Sequence, residues 1–98
     1  MNEQCIARVP QRIWSEGRPE KARRWQSEFN IASWIRVTAL GGHLELVVHH
    51  RDDAGEHETS VDSVRVSGQE SALLSGMVNL RFQGRVEEVS VLLRYDNE

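Results

Sequence analysis

Three histidines and two aspartates crowd into the stretch His49-His50-Arg51-Asp52-Asp53, closed by His57. Imidazole nitrogen and carboxylate oxygen are ligands for a divalent transition metal, and they would have to serve here because Cys5 is the only thiol. The spacing argues against such a centre. Adjacent residues of a strand point to opposite faces, so His49 and His50 cannot both reach one ion without distortion. Glu45 and His49 do share a face, but no recognised spacing such as His-x-x-x-His on a helix is present. A polar hairpin tip accounts for the same residues, and neither a metal nor any other cofactor is expected.

Catalysis has less to build on. No nucleophile elbow or metalloprotease signature occurs, and Cys5 lies in a terminal segment near no candidate base. Glu87-Glu88 splits between the two faces of a strand, which prevents the pair from acting as acid and base on one substrate. Gly41-Gly42 is followed by no helix whose amides could receive a phosphate. The chain is not expected to be an enzyme.

Binding chemistry is better represented. Arg8, Arg12, Arg18, Lys21, Arg23 and Arg24 interleave with Trp14 and Trp25, a combination of cations and rings suited to single-stranded nucleic acid. Arg12, Arg23 and Arg24 are its candidate contacts. The net charge of −3 divides into +3 over residues 1–40 and −6 over residues 41–98, and the acidic part opposes approach to phosphates. A solvated helix face with core tryptophans is the preferred explanation of the basic segment. A second candidate surface holds Trp34, Arg36, Val47 and His49, a mixed aromatic, aliphatic and cationic set of the kind enriched at protein interfaces.

That second surface depends on how the strands are placed. Residues 29–51 read as two alternating runs joined by Gly41-Gly42, a pair suited to a primed two-residue turn. With that turn Ile35, Val37 and Ala39 oppose Val48, Leu46 and Leu44 on one face, and Trp34 stands opposite His49 on the other. A second hairpin is expected from Met77 to Tyr95 about Gly84-Arg85, placing Leu80 and Val78 opposite Val89 and Val91. Between them, residues 52–56 form a polar turn into a strand over 58–66. In that strand Val61 is out of phase with Val64 and Val66, which implies a β-bulge near Asp62-Ser63. Residues 67–75 read as a loop between sheets with its leucines plugging the core. Pro10 makes the first segment an irregular or edge strand, and Pro19 opens a short helix near residues 19–27.

About six strands with at most one short helix indicate an all-β antiparallel sandwich or small barrel. The competing architecture is α+β, one antiparallel sheet with the helix on one face. Ninety-eight residues suit a single domain over 1–98. One cysteine, no secretory signal and no long apolar run indicate a cytoplasmic protein without membrane contact. The function expected is that of a non-enzymatic interaction module, binding a protein partner or its own copy through a sheet face or edge. The alternative is a regulatory protein that binds nucleic acid or a nucleotide through residues 8–24.

Overall fold

The computed structural model describes residues 2–9, 26–39 and 41–96. Six strands account for most of them: β1 (Asn2–Arg8), β2 (Gln26–Ala39), β3 (Gly42–Asp52), β4 (Gly55–Val66), β5 (Glu70–Gln83) and β6 (Glu88–Asp96). All pairing is antiparallel, in a four-stranded sheet of order β1-β6-β3-β4 and a two-stranded sheet of β2 and β5. The fold is all-β, as the alternating runs indicate.

The core lies between the sheets. Alternation directs Leu44, Leu46 and Val48 of β3 and Val89, Val91 and Leu93 of β6 inward, against Ala72, Leu74, Val78, Leu80 and Phe82 of β5. Each such aliphatic side chain contributes about 1.5–3 kcal/mol by leaving water. Ile31, Ile35, Val37 and Ala39 of β2 pack along its margin.

Neither long hairpin expected from the sequence forms. Gly41 and Gly42 do take positive φ, 101° and 109°, but the strands on either side of them belong to different sheets. β2 pairs with β5 from Gln26↔Gln83 to Ala39↔Glu70, while β3 is flanked on both sides by β4 and β6. Alternation identifies which face of a strand is apolar and leaves its neighbour open, because any aliphatic strand of the same period matches it. Val47 breaks the alternation of β3 and is buried with Leu46 and Val48 beside it. The Met77 to Tyr95 hairpin fails likewise: β5 and β6 lie in different sheets, and the link between them buries Val86.

Among the described residues the one tight hairpin is β3–β4, in which Asp52 pairs with Gly55 around Asp53-Ala54. Its bulge lies one residue before the Asp62-Ser63 position expected, since Leu46 pairs with Asp62 and Val47 with Ser60, leaving Val61 over. At that bulge β4 closes against β5. Ser75 donates its N–H to the Asp62 carboxylate at 3.1 Å. A Cβ on Gly76 would stand 2.9 Å from the Val61 carbonyl oxygen, so the approach needs a glycine.

Residues 70–75, expected in a loop, are the start of β5; Ala72 and Leu74 are buried, and Leu73 points outward. Residues 26–27 of the expected helix begin β2, and residues 19–25 lie outside the described part of the chain. Among the described residues no helix is long and apolar enough to cross a membrane.

Candidate functional site

The structure separates the four residues expected to form one patch. Trp34 and Arg36 lie on β2, opposite Ser75 and Leu73 of β5. Val47 and His49 lie on β3, opposite Ser60 and Glu58 of β4. The two pairs are therefore on different sheets, because the turn that would have joined them is a crossing between sheets. Arg12, Arg23 and Arg24 lie outside the described residues, and Arg8 faces Glu88 with 3.7 Å between charged atoms.

The outer face of the four-stranded sheet is closed by arginine. Arg94 of β6 donates from Nε to Glu3 of β1 at 2.7 Å and from Nη1 to Glu58 of β4 at 2.7 Å, with a second bond from Nη2 to Glu58. Arg94 is level with Glu45 and Glu58 is level with His49, so the side chain reaching from one to the other crosses β3 over Val47. That crossing explains how an outward-facing valine can be only 2% exposed. The bonds to Glu58 and Glu3 raise the guanidinium pKa, and the same bonds hold the Glu58 carboxyl below its ordinary value. Arg51 extends the lattice to Glu87 at 3.2 Å, Glu88 at 3.6 Å and Glu56 at 3.8 Å. Four strands are thus cross-linked over their solvent side.

The outer face of β2–β5 has the opposite character. Trp34 is 76% exposed, Met77 73% and Leu73 49%. Ala32 opposes Met77, Trp34 opposes Ser75 and Arg36 opposes Leu73, so the three large apolar groups lie on one face. Trp34 is diagonal to both Met77 and Leu73, within the reach of an aromatic side chain. Thr38 and Ser71 continue the face at one end. The alternation of β2 and β5 carried the signal for this strip, but it became visible only once the two strands were known to pair.

A third assembly occupies the inner side of the β3–β4 tip. Counting outward from the Asp53-Ala54 turn, Asp52 pairs with Gly55 and His50 with His57, which brings His50, Asp52 and His57 to one face. His57 Nε2 lies 3.1 Å from Asp52 Oδ1, and His50 Nε2 lies 3.7 Å from Asp52 Oδ2. The imidazole rings stack at 4.7 Å, with the edge of Phe82 against His50. Asp52 also accepts N–H bonds from Ala54 at 2.8 Å and from Gln83 of β5 at 2.9 Å. Burial pushes this carboxyl upward, but the bonds from Gln83, Ala54 and His57 outweigh it and leave the pKa lowered. Burial, and then repulsion from His57, lowers the pKa of His50, against the pull of Asp52. His49, paired with Glu58, faces the other way, as the parity of the strand requires. His50 and His57 face each other across the turn, a pairing that comparing His49 with His50 along one strand does not reveal.

At the far end of the sandwich a cleft of about 270 Å³ is lined largely by Val37, Ala39, Leu44, Leu93 and Tyr95. His43 and Asp96, opposite each other on β3 and β6, are also in its lining. Comparison with models of protein families, with curated proteins and with solved structures finds no match to this chain.

Proposed function

We propose that the chain is a non-enzymatic β-domain that works by binding protein, with the outer face of β2–β5 as its docking surface and a second copy of the chain as the partner. The observation that carries this reading is the alignment of Trp34, Leu73 and Met77 on one exposed sheet face. Together they present roughly 400 Å² of apolar side chain, the size of surface patch that on a monomer often serves a function. Tryptophan and methionine are enriched in interface cores.

The choice of partner follows from what could cover such a strip. The outer face of the larger sheet is held by ion pairs, and its strands expose only Ile6 among large apolar side chains, at 36%, so the best match for the strip among the described surfaces is the strip itself. Two sheets pack face to face about 10 Å apart when apolar residues interdigitate, and the 14-residue strands give each copy a long, narrow platform. Such an arrangement is isologous and closes at two copies. Arg36, beside Leu73, lies at the margin, where its stem can cover apolar surface and its charge can remain in water.

Sedimentation velocity over a wide concentration range tests this. The native chain should pass from monomer to dimer, and Trp34→Ser with Met77→Ser should stay monomeric at every concentration. A native chain that is monomeric throughout, or a dimer unaffected by the double substitution, would overturn the reading.

A further inference from the structure

We infer that His50, Asp52 and His57 form a binding site for one borderline divalent transition-metal ion, with Zn²⁺ as the best match to the donor set. All three ligand atoms lie within 4.8 Å of one another. His57 Nε2 lies 3.1 Å from Asp52 Oδ1 and His50 Nε2 lies 3.7 Å from Asp52 Oδ2, so the two imidazoles flank the carboxylate, one beside each oxygen. Two imidazoles and one carboxylate are a common three-ligand set for zinc, with the fourth position left to water.

An independent observation points to the same ion. The His50 side chain is only 5% exposed, and neither of its ring nitrogens has a hydrogen-bond partner. A buried polar group left in that state is costly, and native interiors rarely tolerate it. Its Nε2 is on the Asp52 side, where a cation would engage that nitrogen and the carboxylate together. Asp52 raises the complementary question: its side chain is 1% exposed, its charge is buried, and its side-chain neighbours are the two histidines. A divalent cation would neutralise the carboxylate and occupy the imidazole lone pairs at once.

The surroundings suit a ligand set that must be held in place. Backbone N–H groups of Ala54 and Gln83 fix the Asp52 carboxylate, and Phe82 backs the His50 ring, which is the kind of outer support that tunes metal ligands. His57 is half-exposed and gives the ion a route from solvent. Because Gln83 belongs to β5, an ion at Asp52 would tie the β3–β4 tip to the other sheet through the bonds already present.

The test uses the full-length chain without an affinity tag, stripped with a chelator and then titrated with ZnCl₂ against a chromophoric competitor, and separately with CoCl₂. One Zn²⁺ per chain should bind, and bound Co²⁺ should show the visible absorption of a four-coordinate site. His57→Gln should weaken Zn²⁺ binding by about 100-fold or more, given that losing even a supporting partner of a ligand costs about 10–100-fold. His57 is half-exposed, so its substitution should preserve the fold, which circular dichroism would verify; His50→Ala is a second variant. His49→Ala should bind as the native chain does. Failure to bind one equivalent, a Co²⁺ spectrum unaffected by His57→Gln, or equal losses in His49→Ala and His57→Gln would each overturn the proposal.

Discussion

The two outer faces of the sandwich handle exposed apolar groups in opposite ways. On the larger sheet Val47 faces outward and is nevertheless buried, because Arg94 stretches over it between Glu3 and Glu58. On the smaller sheet Trp34, Met77 and Leu73 face outward and stay in water. Both faces are built on the same two-residue period. What differs is the company: long arginines with carboxylates on neighbouring strands can roof a sheet, and Trp34 has Ser75 opposite it instead. One face is covered by ion-paired side chains, and the other leaves its large apolar groups exposed.

The contrast can be broken most severely at Val47. Val47→Asp would bury a carboxylate beneath an arginine already committed to Glu3 and Glu58, and should cost about 3 kcal/mol in urea denaturation. Removing the roof itself should matter less. Arg94→Ala is expected to lose about 1–2 kcal/mol, since the pairs are partly exposed and only Arg94 is well covered. The sign of its pH dependence follows from Glu58, whose pKa is lowered by Arg94. That contribution is present above the unfolded-state pKa of glutamate and disappears as pH falls through the lower folded value. Stability curves of the native chain and Arg94→Ala should therefore converge in acid, as measured by denaturant titration across pH. The smallest effect on the isolated domain belongs to the bare face: Trp34→Ser should change monomer stability by no more than about 0.5 kcal/mol. The same substitution should remove any dependence of the melting temperature on protein concentration, which calorimetry at two concentrations would read.

The sequence was most informative where a residue's own strand decides its fate. The inward faces of β3 and β6, the polar β3–β4 turn and the bulge at Val61 all follow from period-two alternation and its interruption. It was least informative about neighbours. Ile35 and Val37 match Val48 and Leu46 in type, yet they pair with Leu74 and Ala72, because aliphatic rows are interchangeable and only the global packing selects among them. Leu73 illustrates the cost of losing a strand boundary, since a residue assigned to a core plug proves to be on the surface once β5 begins at Glu70. The His50, Asp52 and His57 set was within reach. It required only that the two-residue turn at Asp53-Ala54 be fixed before the histidines were compared.

The position of β6 between β1 and β3 also bears on how the chain reaches this state. The β3–β4 hairpin can form from contacts close in sequence, but β1 meets β6 through pairs such as Asn2↔Tyr95, and β3 obtains its second neighbour from the same strand. Until β6 arrives, β1 has no sheet to join and the inner row of β3 lacks Val89, Val91 and Leu93 beside it. Closing loops of that length costs entropy before any of their contacts can repay it, so the most non-local pairing of the larger sheet is the seam where the two ends of the described chain meet.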